Sequence, residues 1–162
     1  MQQIAILAAG CFWGVQFYFD QVPGVINTEV GYTGGKTDNP SYEAVCTHTT
    51  GHAEAVKIIF DSSVVTYKGL LKQFFHMHDP TQLNRQGPDV GDSYRSEIFY
   101  VNDKQKSDAE ELIKDLNTSE YKGKIMTSLE VAKLWWPAED YHQKFTDRTG
   151  QGMCHIPYSS LA

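Results

Sequence analysis

Apolar and polar positions fall into two alternating patterns along this chain. Ile4 to Ala9 is a short apolar run closed by Gly10, the pattern of a buried strand. Cys11 to Asp20 follows with no room for a long loop, and Gln21-Val22-Pro23-Gly24 stops it, which predicts a helix. Val25 to Tyr32 reads as a second strand, ended by Thr33-Gly34-Gly35, and His52 to Phe60 as a third. Between them Asn39-Pro40-Ser41 opens a turn or one short helical segment. Over Thr66 to His78, Tyr67, Leu70, Leu71, Phe74, Phe75 and His78 recur at three- and four-residue steps, so one helical face is apolar until Pro80 ends it. Asp79 to Ser93 holds two prolines and two glycines and predicts a long functional loop. Tyr94 to Val101 is a strand, and Asp103 to Asn117 a helix with Ala109, Leu112, Ile113 and Leu116 inward. Ile125 to Val131 is another strand, and Pro137 to Phe145 a last helix with Pro137 at its first position.

The order β-α-β-β-α-β, with further elements after it, predicts an α+β two-layer sandwich with a ferredoxin-like split βαβ core and a mixed sheet. With 162 residues the chain is expected to form one domain, 1–162, in which 148–162 is an irregular, flexible C-terminal tail broken by Gly150, Gly152 and Pro157. Such a length buries enough surface to need no metal or disulfide staple. Apolar residues at 41% and charged residues at 21% argue against a disordered or fibrous chain. No apolar run approaches the roughly 20 residues of a membrane span. The formal charge of -6, with no basic block, makes nucleic acid and anionic membranes poor partners. The start of the chain lacks the basic and apolar regions of a secretory signal. With three cysteines, Cys11, Cys46 and Cys154, this suggests a reducing, cytoplasmic setting in which thiols are catalytic or inert.

Cys11 sits in Gly10-Cys11-Phe12-Trp13-Gly14, where a strand ends and a helix begins. Free backbone N–H groups and the positive end of the helix dipole stabilise a thiolate there. By position alone a packed core cysteine is the simpler reading; two large rings flanked by glycines favour a reactive thiol in an apolar pocket. Alternation puts Glu54 on the same side of its strand as Val56, Ile58 and Phe60. A carboxyl group at the end of that apolar stripe is either desolvated and held protonated, able to donate a proton, or it reaches water at the strand end. Tyr42 and Tyr94 flank Gly- and Pro-rich loops and offer O–H donors, although tyrosines are commonly packing residues. Asp89, in Gly87-Pro88-Asp89-Val90-Gly91, has the setting of a turn former. Cys154 lies on the tail, where it is suited to reach a second sulfur or sits idle. Cys46, with no glycine or aromatic escort, reads as inert filler. Cys46-Thr47-His48 and His76-Met77-His78 lack a second ligand pair at zinc spacing, so no metal site is expected, and no nucleotide-binding glycine motif is present.

Taken together, the chain resembles the A-type peptide methionine sulfoxide reductases over nearly its whole length. The matching segments are Gly10 to Gly14, Gly31-Tyr32-Thr33-Gly34-Gly35, Tyr42-Glu43-Ala44-Val45-Cys46, Thr50 to Val56, His78 to Gly87, Tyr94-Arg95-Ser96, and Trp136-Pro137-Ala138-Glu139-Asp140-Tyr141-His142-Gln143. Gly91-Asp92-Ser93 departs from the commoner Gly-Thr-Gln, and Trp135-Trp136 from Phe-Trp or Tyr-Trp. The resemblance implies that Cys11 is the nucleophile, Glu54 the proton donor, and Tyr42 and Tyr94 the donors to the sulfoxide oxygen. It implies that Phe12 and Trp13 receive the substrate methyl group, and that Asp89 helps hold the pocket or the substrate backbone. It places the recycling cysteine at Cys154, in the simpler two-cysteine version of the family.

The implied reaction is reduction of the S epimer of methionine sulfoxide in proteins and peptides, a repair of oxidative damage. It runs through a sulfenic acid and an intramolecular disulfide that thioredoxin reduces, with no cofactor, by a protein expected to be a monomer. Two other readings are weighed against it. In one, Cys11 serves a thiol peroxidase, which needs neither the aromatic pair nor a protonated Glu54. In the other, the aromatic residues form a cage for methylated ammonium groups, which leaves two well-separated thiols unexplained.

Overall fold

The computed structural model describes residues 1–152. Its elements in chain order are β1 (Gln2–Ala9), α1 (Phe12–Asp20), β2 (Val25–Thr33), α2 (Tyr42–Cys46), β3 (Ala53–Asp61), α3 (Tyr67–Met77), β4 (Arg85–Gln86) and β5 (Asp89–Val90). There follow β6 (Ser96–Tyr100), α4 (Asp103–Ser119), β7 (Ser128–Val131), β8 (Trp136–Pro137) and α5 (Phe145–Thr149). Two 3-10 turns, Asp92–Tyr94 and Asp140–His142, complete the set.

Six strands form one sheet in the order β7-β6-β1-β3-β2-β8. β1 runs antiparallel to both β3 and β6, and β2 antiparallel to β3, so β6-β1-β3-β2 is the split βαβ core. β7 joins β6 in parallel, which makes the sheet mixed. A parallel neighbour requires a crossover, and α4 supplies it. The main core lies between one face of the sheet and the helices. Leu7, Val30, Val56, Ile58 and Ile98 from the strands meet Phe12, Phe19, Leu70, Leu71, Phe74 and Ala109. The other face carries a smaller cluster of Ile6, Ala8, Ala53, Ala55 and Phe99, covered in part by Ala132 and Trp135. Burial on both faces explains why β1 reads as an unbroken apolar run instead of an alternation.

Local chemistry sets the helix starts. Thr66 accepts from the Gly69 N–H at 2.9 Å at the head of α3, and Asn102 accepts from the Gln105 N–H at 2.9 Å at the head of α4. Each cap satisfies a donor that the helix itself leaves unpaired.

Three sequence expectations are corrected here. The expected helix Pro137–Phe145 does not form. Trp136 and Pro137 instead pair with Tyr32 and Gly31 at the sheet edge, and Ala138 N–H donates to Val30 O at 3.0 Å. Proline is tolerated on an edge strand, and here tertiary pairing overrides the local helix-start signal. Gly31 permits the contact, because a Cβ there would lie 2.5 Å from Trp135 Cζ2 and 2.6 Å from the Trp136 carbonyl oxygen. Second, Tyr94 belongs to a 3-10 turn, and its strand begins only at Ser96. Third, Asp79–Ser93 is not wholly irregular: β4 and β5 pair through Arg85–Val90 and Gln86–Asp89 around Gly87-Pro88.

Candidate active site

The site is built at the junction of β1 and α1. Gly10 has φ 94, a left-handed conformation that suits glycine, and it turns the chain from the strand into the helix. Cys11 is the residue that caps α1, and it is 8% exposed. Its side chain therefore stands at the helix N-terminus, where backbone N–H groups and the dipole favour negative charge.

Glu54 comes to this point from the neighbouring strand. It lies on β3 opposite Tyr32 and is 1% exposed. The alternation seen in the sequence holds, since Val56, Ile58 and Phe60 share the main core. The Phe12 N–H donates to Glu54 Oε1 at 3.2 Å, which joins the carboxyl group to the first residue of α1. Glu54 is thus buried and does not reach water at the strand end.

Tyr42 and Tyr94 converge on the same place. Burial pushes the Tyr42 hydroxyl above the ordinary tyrosine range, and the nearby Glu54 adds to the effect. The Tyr94 hydroxyl is raised by burial too, then by Glu54, Cys46, Cys11 and Asp89 in turn. Both phenols thus stay protonated as donors at neutral pH. Asp89, on β5, is half-buried and near enough to Tyr94 for its charge to be felt.

The aromatic wall is more elaborate than the sequence showed. Phe12 packs on Tyr32 with ring centroids 5.7 Å apart, and Trp13 stacks on Phe145 at 3.9 Å. His142 is wholly buried at the centre of this wall, 5.2 Å from Phe12 and 4.5 Å from Tyr42 between ring centroids. Trp13 Nε1–H donates to His142 Nδ1 at 2.8 Å. That bond fixes the neutral tautomer with its proton on Nε2, and burial lowers the imidazole below the ordinary histidine range. Glu139 ties two tyrosines together. Its Oε1 accepts from the Tyr32 hydroxyl at 2.8 Å and its Oε2 from the Tyr42 N–H at 3.0 Å. Neither His142 nor Glu139 was singled out by sequence reasoning. Their neighbours lie about a hundred residues away in the chain, so only the Trp136 to Gln143 motif hinted at them.

Cys46, read as filler, lies near enough to Tyr42 for the two groups to interact, and burial raises its thiol. Cys154 lies outside the described residues. The described chain ends beside the site, however. A Cβ on Gly152 would stand 3.0 Å from Trp13 Cε3, so the backbone there passes directly over the indole. Among the described residues no group of three or more His, Cys, Asp or Glu side chains is placed to hold a metal ion. None of their helices is long and apolar enough to cross a membrane.

The chain's relatives fit this geometry. A family model described as peptide methionine sulfoxide reductase matches residues 3–162. The peptide methionine sulfoxide reductase MsrA of Methanothermobacter thermautotrophicus is 48% identical over 153 residues, covering 94% of this chain and 90% of that protein. MsrA of Pelagibacter ubique is 48% identical over 146 residues, covering 90% of this chain and 99% of its own length. Among solved structures, reduced Mxr1 from Saccharomyces cerevisiae superposes with a TM-score of 0.89 at 32% identity, covering 96% of this chain and 92% of that one. A family model spanning residues 3–162, relatives 48% identical over at least 90% of the chain and a shared fold lead to one conclusion: the chain belongs to the peptide methionine sulfoxide reductase family, a family of oxidoreductases.

Proposed function

We propose that this reductase acts on the S epimer of methionine sulfoxide in flexible or unfolded segments of protein, with Cys11 as nucleophile and Glu54 as proton donor. The observation that carries the reading is the Phe12 N–H to Glu54 hydrogen bond, which brings a buried carboxyl group to the helix head that holds Cys11.

A sulfoxide joins a polar S–O group to an apolar methyl and chain. Its sulfur becomes electrophilic only when charge developing on oxygen is neutralised. Glu54 is so thoroughly buried that the neutral acid is favoured, and a neutral acid has a proton to give. Tyr42 and Tyr94 add O–H donors to the same oxygen. Phe12 and Trp13 offer the methyl group an apolar wall, and Asp89 helps hold the pocket or the substrate backbone. Fixed destinations for oxygen, methyl and peptide chain make the pocket chiral.

Cys11 attacks sulfur, the oxygen passes to Cys11 as a sulfenic acid, and methionine leaves. The Cys154 thiol then attacks the Cys11 sulfur. Water is expelled and a disulfide forms. Gly152 supports this step, because it places the chain against Trp13 two residues before Cys154, within a reach of roughly 7 Å. An external dithiol, thioredoxin by this reading, returns the disulfide to two thiols. Yeast Mxr1 has been crystallised in complex with Trx2, and that chain shares this fold with a TM-score of 0.64.

The test is a single turnover of reduced enzyme without reductant, on S and R sulfoxide peptides separately. About one methionine per chain from the S epimer alone, with two thiols lost, is the expected result. Methionine from the R epimer, or none from either while peroxide is consumed, overturns the reading.

A further inference from the structure

We propose that Glu97 is a positioning residue for Tyr94, acting through Arg95. The inference rests on the reading of Tyr94 as a donor to the sulfoxide oxygen.

Tyr94 closes the 3-10 turn Asp92–Tyr94, and its placement depends on that turn. The Asp92 carbonyl accepts the Arg95 N–H at 3.2 Å. It also accepts Arg95 Nη1–H at 2.9 Å, so one residue bonds the turn through both backbone and side chain. The guanidinium is itself held in place. Arg95 Nε–H donates to Glu97 Oε1 at 2.6 Å. On the other side a Cβ on Gly34 would stand 3.0 Å from Arg95 Nη2 and 2.9 Å from the Phe99 ring, so the guanidinium lies close against bare backbone. Glu97 is 0% exposed and belongs to β6, whose register against β1 fixes it opposite Ala8. A rigid sheet position is thereby connected to the turn: Glu97 holds Arg95, Arg95 holds the Asp92 carbonyl, and that carbonyl closes the turn bearing Tyr94.

A buried carboxylate is a poor way to gain stability, since a well-packed apolar side chain at such a site is commonly as good or better. What the ion pair adds is direction. Arginine presents a planar fork that can serve two acceptors at once, and a lysine cannot copy it. The proposal therefore predicts an effect on chemistry that passes through the Tyr94 hydroxyl and vanishes when that hydroxyl is gone.

The experiment is a double-mutant cycle on the single-turnover rate of methionine formation, with thermal unfolding followed in parallel. Tyr94→Phe lowers the rate if the hydroxyl acts as read. Glu97→Ala is expected to lower the rate by about tenfold in the native background and by less than about twofold in the Tyr94→Phe background. Glu97→Gln, which restores an acceptor for Arg95, is expected to recover most of the loss. If Glu97→Ala does not fold, Arg95→Lys takes its place in the cycle, with the same non-additivity expected. Equal losses in both backgrounds would show that Glu97 acts on general stability, and would overturn the proposal while leaving Tyr94 its role. An unchanged rate in Tyr94→Phe itself would overturn both.

Discussion

At Glu54 a substitution of the same shape separates proton transfer from packing. Glu54→Gln keeps the bond from the Phe12 N–H and removes the acidic proton. The single-turnover rate is expected to fall by about 10² to 10⁴, with substrate affinity little changed, because a general acid acts in the transition state. Rapid quench at several peptide concentrations measures both quantities; an equal loss of affinity and no loss of rate would remove Glu54 from the chemistry. This residue was half legible in the sequence: strand alternation put its carboxyl group in the apolar register, but at a strand end it could equally have reached water, and the structure shows it buried. For Cys11, position between a strand and a helix favoured a packed core cysteine, and only the flanking rings and glycines pointed to a reactive thiol. Tyr42 and Tyr94 carried no local signal of their own and came only with the family resemblance. His142 and Glu139 remained hidden because their partners, Trp13 and Tyr42, stand 129 and 97 residues away in the chain. No short-range pattern encodes a contact of that separation.

At the scale of elements, the strands and long helices followed from periodicity, and the errors gathered where tertiary contacts override it. Pro137 is the clear case, a helix-start residue by its neighbours and an edge-strand residue by its partner Gly31. The pairing is itself testable. Gly31→Ala is expected to lower stability by about 1–3 kcal/mol, since the added methyl meets the Trp135 ring and the Trp136 carbonyl. A thermal midpoint equal to the wild type would mean that β8 is only loosely held.

Along β6 and β7 a second prediction concerns pH. Burial, followed by a hydrogen bond with Glu130, raises Glu97 from its ordinary 4.5 to about 7, against the opposing pull of Arg95. Glu130 on β7 is the other acid facing it, with Lys133 3.8 Å from Glu130, and the opposite neighbour Ala8 carries no charge. Between pH 4.5 and about 7 the folded protein keeps this proton while the unfolded chain has released it. The stabilisation is therefore complete below pH 4.5 and lost as the pH climbs to about 7. Glu97→Gln is expected to remove that slope, so its Tm should gain on the wild type steadily across this window. Parallel melting curves at each pH would show it.

For the whole molecule, thiol arithmetic is the sharpest check. The chain has three cysteines, and one turnover should consume two of them, with Cys46 left reduced. Cys154→Ser is expected to yield about one methionine per chain and then stall in the presence of thioredoxin. Continued cycling would assign the recycling thiol elsewhere, with Cys46 the first candidate because it lies beside Tyr42.

The segment from Trp136 to Gln143 ties the aromatic wall of this site to its tyrosines. It bonds to Trp13 through His142, to Val30 through Gln143, and to Tyr32 and Tyr42 through Glu139. These are among the longest-range contacts the chain makes, spanning 97 to 129 residues. Contacts of such separation close late in folding, after the local helices and hairpins have formed. A growing chain on the ribosome would carry its Cys11 thiol long before it had an aromatic wall or an aligned Tyr42. Reductase activity and the completed site should thus arrive together, once the segment from Trp136 to Gln143 has been made and has docked.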